Sequence, residues 1–585
     1  MGAASAFIGG SYKSQSPLAD CEELINWYVE QLQSPAATAK RVLYPTPGVK
    51  AIATLPAGSG RAHIFTLGRE FAVIGPSFVE IYRNGTTTTR GTVIIDQSPA
   101  TLCSSGDLSR EVFITSGGHG YIFNLDTNNF SEVSAIVNLA TMGAYLDGYF
   151  IALDVDTSTV YCSALGDGTT WDTSTNWAQR SASPDRWMSM KVAGRFIYLL
   201  GERTSEIWYN AGTIPFPFAF YEGAPLIQYG CLAWFSPAVI GDELVWVGIT
   251  PAGRRCVVKA NIQAQAISTY PIDTALEGYR NVEWTIGDVY SDRGHTFYVV
   301  GFDDANVTWA WDIDTGEWHK RMEWDRATGQ WKSWRPRYYA NAFGQHRMLD
   351  SRGRSVLQVS DTFGLQADGD PIRRLRRTPA MTSGNDRIFY SSLELFFETG
   401  LKSIIPDLPF AEFVWTIGET TTLDASTSST PIGTITSYSW YLNDVLLGTD
   451  SSPFWYPSTP DPGDVIKLVI TATSGTASAM ATIPTPPGPP PYSGVSTPLA
   501  GSAPGEREPQ VMLGLSNDAG RTFVTRQWRG AGLLGQYQRR VRWNGLGSAR
   551  RRVFEVVCAD EYPWRLVGAD LRIDQDVPQG EKDRG

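Results

Sequence analysis

Between about residues 62 and 359 the apolar positions come in pairs of short runs, each pair joined by a tight turn rich in Gly, Asp or Asn. The pairs lie at residues 68–82, 110–126, 147–165, 194–210, 241–260, 293–312 and 344–360. Each is a β-hairpin signal, a strand-forming run on either side of a turn. Successive hairpins start roughly 35–50 residues apart, the period of four-stranded propeller blades. Blades pack face to face, so their strands are covered on both sides and need not alternate with polar residues. This predicts an all-β chain built on a β-propeller of six or seven blades at residues 61–380, with Trp208, Trp246, Trp309 and Trp311 filling the space between blades. A β-sandwich joined to a barrel also yields regular hairpins, but radial repetition accounts better for so long an array.

The flanks follow other patterns. Residues 1–60 read as an N-terminal arm or clamp. Residues 21–33 (CEELINWYVEQLQ) are partly helix-friendly, and the prolines of YPTPGVK (44–50) impose an extended path. Further on, SSLELFFETG (391–400) and PQVMLGLSNDAGRTF (509–523) read as neighbours in one sheet, although a long Thr/Ser- and Pro-rich block separates them. Residues 381–400 and 508–585 would then form a small C-terminal all-β platform. The block at 401–485 runs as strand, Asp/Ser turn, Trp-centred strand pair and alternating V-I-K-L-V-I strand, the order of a small β-sandwich. Residues 486–507 read as a Pro/Gly-rich tether, stiffened by its proline run.

A chain of 585 residues predicts several domains, and 42% hydrophobic residues suffice to pack them. No apolar stretch approaches the ~20 residues of a membrane span. MGAASAFIGG at the start lacks the basic and long apolar segments of a secretory signal. Six scattered cysteines have no zinc-type spacing and read as buried free thiols of a protein folded in a reducing cytoplasm. A net charge of −11 argues against a dedicated sheath around nucleic acid. It leaves room for a local basic patch, or for an acidic passage along which DNA slides.

Two basic clusters stand against that average: Arg373, Arg374, Arg376 and Arg377, and then Arg539, Arg540, Arg542, Arg550, Arg551 and Arg552. Guanidinium groups so arranged can dock on an acidic partner, contact phosphate, or pair with carboxylates of the same or an adjacent subunit. SNDAGRTF (516–523) fits the Asp-box of sialidases. In that motif Asp518 holds backbone N–H groups of a turn opened by Ser516 and closed by Thr522, Gly520 supplies a positive φ, and Phe523 plugs the sheet. It stabilises a hairpin and carries no chemistry. DVDTST (154–159) and DIDTGE (312–317) space carboxylates as calcium loops do, but lack the glycine and distal Glu of a helix–loop–helix site. They read as hairpin turns. No nucleophile elbow, H-E-x-x-H or phosphate-binding loop occurs, so no catalytic residue, metal ligand or cofactor is expected.

Several separated motifs resemble, in order, the tail hub or packaged-DNA stabilisation proteins of short-tailed bacteriophages. They are NWYVE (26–30), LYPTPGVK (43–50), WDIDTGEW (311–318), LQVSDTFGLQADGDPIRRLRRTP (357–379), LGLSNDAGRTF (513–523) and GLLGQYQRRVRWNGLGSARRRVFEV (532–556). The resemblance implies a virion tail protein, assembled in the host cytoplasm as a hexameric ring beneath the portal and adaptor. Such a ring continues the DNA channel without sequence-specific binding, retains the packaged genome, mounts tailspikes or fibres, and is not an enzyme. Trp27, Tyr28 and the two arginine clusters become candidates for subunit or adaptor contact. The 401–485 block resembles immunoglobulin-like domains of the polycystic-kidney-disease type at LDASTS (423–428), SYSW (437–440) and PGD (462–464). It departs from them at YLND (441–444), where an acidic Gly turn is expected. Such a module is a candidate for host-surface contact. The competing reading is a glycan-binding or glycan-hydrolysing propeller, argued from the Asp-box and surface tryptophans.

Overall fold

The computed structural model describes residues 6–575 except 35–36, 38, 97, 156, 181, 385, 399–410, 418–420, 427, 429, 431–433, 473–474, 484–491, 503–507 and 533–539. It divides into two compact units, one of Met1–Glu398, Gln510–Gly530 and Gln538–Gly585, the other of Thr399–Pro509 and Ala531–Tyr537. No helix among the described residues is long and apolar enough to cross a membrane.

The first unit contains a β-propeller. Among the described residues it has seven antiparallel blades, at 60–92, 101–132, 142–179, 187–220, 230–266, 287–320 and 336–360, the last completed by Gly48–Thr54. The inner strands touch their neighbours in order, and Pro336–Ala342 of blade 7 touches Gly60–Thr66 of blade 1, which closes the ring. The seven hairpins legible in the sequence are the two middle strands of each blade. They are legible because both faces are buried. Phe71 and Val73 enter the core shared with blade 2, whereas Ala72 and Ile74 enter the core shared with blade 7.

Each gap between successive blades holds its own apolar core. Trp208 lies between blades 3 and 4, Trp246 between 4 and 5, and Trp309 and Trp311 between 5 and 6. Two of these indoles have polar partners: Trp246 Nε1 donates to the Gly230 carbonyl at 3.0 Å and Trp208 Nε1 to Glu206 at 2.9 Å.

The N-terminal segment departs from the arm expected over residues 1–60. Gly48–Thr54 is the outer strand of blade 7, with Val49 opposite Val359 and Ala51 opposite Leu357. The helix-friendly stretch forms two strands, Cys21–Ile25 and Trp27–Gln31. Between them Asn26 has a φ of 58°, which turns the chain from one sheet into another. Its side chain fixes the corner, donating to the Met322 and Arg373 carbonyls at 2.8 and 2.7 Å and accepting from the Met322 N–H at 2.9 Å. Tertiary pairing overrides a weak helical propensity here.

The C-terminal strands are not a separate platform. Blade 6 continues through Cys21–Ile25, Arg374–Arg377, Arg551–Cys558, Gln510–Ser516 and Thr525–Gly530 into an 11-stranded sheet. A second sheet orders Trp27–Gln31, Arg41–Pro45, Arg565–Gln575, Ile388–Glu398 and Arg540–Asn544. The two segments expected as neighbours therefore lie in different sheets, Ile388–Glu398 in one and Gln510–Ser516 in the other. Both carry buried apolar residues, Leu393, Leu395 and Phe397 on one and Val511, Leu513 and Leu515 on the other, and composition alone does not say which partner each takes. Five of the six cysteines are buried, Cys103 is half-buried, and all six are free thiols.

The second unit is a two-sheet sandwich. One sheet orders Phe454–Trp455, Thr422–Asp424, Val414–Ile417 and Tyr492–Val495; the other orders Val445–Asp450, Ile435–Leu442, Val465–Ala472, Gly475–Thr482 and Thr497–Ser502. They share a core around Trp415, Leu423, Trp440, Ile466, Leu468 and Ile470. The tether read at 486–507 is shorter than expected, because Tyr492–Val495 and Thr497–Ser502 pair back into these sheets. The proline run at 484–491 lies outside the described residues.

Candidate interaction surfaces

The first arginine cluster is interior. Strand Arg374–Arg377 sits in the middle of the 11-stranded sheet, between Cys21–Ile25 and Arg551–Cys558. Arg374 and Arg376 are 1% and 0% exposed. Arg376 binds the carbonyls of Phe7, Gly10 and Ala6 at 3.1, 2.9 and 2.9 Å and pairs with Glu22. Arg377 bridges Glu23 at 2.8 Å and Glu555 at 2.7 Å. Arg374 donates to the Ile372 carbonyl at 3.2 Å, and burial pushes its guanidinium down to about 10. Arg373 stacks 3.9 Å from the Trp324 ring. Trp27 and Tyr28 are also core residues: Trp27 Nε1 donates to the Trp564 carbonyl at 2.8 Å, and Tyr28 packs edge-on to Phe297 at 5.2 Å. None of Trp27, Tyr28, Arg374 and Arg376 is placed to touch another molecule. A central strand is covered on both faces, so even arginines on it are consumed internally.

The second cluster divides. Arg552 is buried, held by the Leu546 carbonyl and Asn517 Oδ1, each at 2.8 Å. Arg540 and Arg542 are exposed and lie 3.5 and 3.4 Å from Glu394. Arg539 lies outside the described residues. Arg550 and Arg551 are exposed, and among the described residues neither has an ion-pair or hydrogen-bond partner. They line a cleft of about 490 Å³ with Gly384, Asn517, Ser548, Ala549 and a third unpaired arginine, Arg387. Arg387 stands alone in the sequence, so no local pattern pointed to it.

The Asp-box residues form a closed turn. Asp518 Oδ1 accepts from the N–H groups of Arg521 and Thr522 at 3.1 and 2.9 Å, and Oδ2 accepts from the Thr522 hydroxyl at 2.6 Å. Ser516 Oγ accepts from Gly520 N–H at 2.9 Å, and Gly520 has a φ of 80°. Hydrogen bonds from Ser516 and then Thr522 hold the Asp518 carboxyl well below the usual range. Phe523 lies beneath the Arg377 guanidinium, 5.0 Å from it. The carboxylate is spent on its own turn.

A cavity of about 190 Å³ at the propeller's centre is lined by residues of all seven blades, the fifth contributing Trp234, Phe235 and Pro237 just ahead of its strand Ala238–Ile240. Lys191 and Asp288 line it, and the enclosing walls push the Lys191 ammonium below its usual range. Beside blade 6, His295, Asp312 and Asp314 bring potential metal-ligand atoms within 4.8 Å of one another. These groups already satisfy one another: His295 Nδ1 contacts Asp312 at 2.8 Å and Nε2 contacts Glu30 at 2.6 Å, while Asp312 Oδ1 caps Asp314 N–H at 3.1 Å. The cluster is an ion bridge that fastens strand Trp27–Gln31 to the propeller.

Burial opposes the charge on His295, but the hydrogen bonds it donates to Asp312 and Glu30 outweigh it and raise the imidazole to about 9. A raised folded-state pKa stabilises fully below the unfolded value of about 6.5 and is lost as pH climbs through 9. The stability difference between wild type and His295→Gln should therefore be largest near pH 6, on the order of 2–3 kcal/mol, and vanish near pH 10. Urea midpoints across that range check it; a difference independent of pH would refute a charged bridge.

The sequence profile of the Phage_stabilise family, described as "Bacteriophage P22 Gp10, beta-propeller", matches residues 24–363. The chain belongs to this family. It is a tail-associated structural protein of a bacteriophage. The matched residues contain all seven blades and the closing strand, but not the 513–523 and 532–556 segments that also carried the resemblance in sequence. No curated protein matches the sequence. Among solved structures, the N-terminal domain of Nup159 is 12% identical, with a TM-score of 0.34 over 57% of this chain and 97% of its own. A streptogramin B lyase is 8% identical, with a TM-score of 0.35 over 54% and 98%. The Neurospora crassa Pan2 WD40 domain is 10% identical, with a TM-score of 0.34 over 54% and 95%. Likenesses this distant carry no functional argument.

Proposed function

We propose that this protein forms the hub of a short phage tail, a six-fold ring below the portal and adaptor that continues the DNA channel, retains the packaged genome and mounts tailspikes or fibres. The observation that carries the proposal is the family match, which spans the whole propeller. The cavity at the propeller's own centre, about 190 Å³, is far too small for a duplex. The conduit is therefore the passage enclosed by the subunits, and each propeller is a wall element. Adaptor and subunit contacts fall to exposed groups such as Arg540 and Arg542, not to the buried arginines. The protein assembles in the host cytoplasm, performs no catalysis and needs no cofactor. The second unit is an immunoglobulin-like module of the polycystic-kidney-disease type, carried as an insertion for contact with the host surface, the spike or a neighbouring tail protein.

A glycan-directed propeller draws no support from the Asp-box, whose carboxylate is fully engaged in its turn. The test is electron microscopy of the purified chain mixed with adaptor-filled heads. Six-fold rings at the vertex support the hub; a chain that stays monomeric and releases sugar from host polysaccharide overturns it. In the same assay a variant joining Glu398 to Gln510 through a short Gly/Ser bridge is expected to fold and form rings. Loss of the folded state in that variant would show that the second unit is not an insertion.

A further inference from the structure

We infer that the cleft formed by Arg387, Arg550 and Arg551 binds the phosphodiester backbone of DNA without reading its sequence. The cleft holds about 490 Å³ and is otherwise lined by Gly384, Asn517, Ser548 and Ala549. Three features point to phosphate. All three guanidinium groups lack partners among the described residues, whereas arginines elsewhere on this unit, such as Arg69, Arg110, Arg335 and Arg377, are held by carboxylates. The lining contains no carboxylate, and among the described residues none of the three guanidinium groups is in an ion pair, in a protein of net charge −11. Arg552 donates to Asn517 Oδ1, which leaves the Asn517 amide N–H groups as further donors.

The lining also has no aromatic ring to stack a base and no apolar floor to anchor a peptide side chain. That favours backbone contact over base readout and over an acidic peptide. Guanidinium forks match phosphate oxygens in bidentate geometry. The inference rests on the tail-protein reading only for the source of the duplex; the chemistry of the cleft stands without it.

The experiment is fluorescence anisotropy of a labelled random-sequence duplex titrated with the full chain across a salt series. Wild type should bind with a log–log salt slope of about −2 to −3, as for two or three neutralised phosphates. The variant R387Q/R550Q/R551Q should lose at least tenfold in affinity and most of the slope, with an unchanged melting temperature. R387K/R550K/R551K should retain most of the slope, and R540Q/R542Q should bind as wild type. Unchanged binding by the triple glutamine variant, no duplex binding by wild type in 50 mM salt, or equal competition by poly-glutamate would overturn the inference. Ring assembly of the same variants is scored separately. A triple variant that still forms rings leaves the hub proposal intact whichever way binding falls, and one that binds duplex normally but cannot assemble assigns these arginines to subunit contact.

Discussion

A chain lacking residues 1–54 is expected to lose cooperative folding of the propeller. The strand Gly48–Thr54 makes six register pairs with Ser355–Ser360 and is the piece that completes blade 7. Val49 and Ala53 are buried, in the cores facing blades 6 and 1 respectively. Each lost ladder bond is worth about 1 kcal/mol net, and each apolar side chain withdrawn from a core about 1.5–3 kcal/mol. Together with the strands Cys21–Ile25 and Trp27–Gln31, the deletion removes more than the about 5–15 kcal/mol that holds a typical domain folded. A single substitution probes the same closure. A Cβ at Gly48 would lie 2.3 Å from the Phe363 carbonyl oxygen and 2.8 Å from that of Leu365, both backbone atoms. Gly48→Val should therefore unseat the strand and lower the melting temperature by several degrees. Circular dichroism melts decide the matter: a truncated chain that unfolds sharply at the wild-type temperature would show that the ring closes without this strand.

Replacing Arg376 with Met should destabilise the protein by about 3–5 kcal/mol, the penalty of breaking a buried ion pair from one side. The substitution leaves three carbonyls, of Ala6, Phe7 and Gly10, and the Glu22 carboxylate without their donor. Burial already raises Glu22 above the ordinary carboxylate range and Arg376 opposes that rise, so its loss leaves a carboxylate that must protonate or unfold. Adding Glu22→Gln to Arg376→Met should recover part of the loss, and the coupling is read from the double-mutant cycle. Arg376→Lys should not substitute, because one compact ammonium cannot span four acceptors. Arg540→Gln, at an exposed site, is expected to change stability by about 1 kcal/mol or less. Equal urea midpoints for Arg376→Met and wild type would remove Arg376 from the architecture.

The contrast between the two arginine clusters shows where sequence reading ends. Arg374 and Arg376 look as available as Arg550 and Arg551, because a run of charge says nothing about the depth of the strand that carries it. Only the pairing of Arg374–Arg377 between two other strands buries them. Arg387 is invisible by the same logic, since the cleft that gives it meaning is assembled from three distant segments.

The repeated doubly apolar hairpins were sufficient to specify a propeller, because the middle strands of a blade are buried on both faces and that burial is written into consecutive residues. Inner strands such as Gly60–Thr66 and outer strands such as Thr87–Thr92 are only partly buried, so their apolar pattern is weak and leaves the blade count open. The order Asp/Ser turn, Trp strand and alternating strand likewise marked the second unit as a sandwich. What tertiary structure alone decided was partnership: that Gly48–Thr54 closes blade 7, that Asn26 sends one apolar run into two sheets, and that blade 6 extends into the C-terminal strands. A strand's own residues encode which faces are apolar, but its neighbour is chosen by the competition among all edges the folded chain presents.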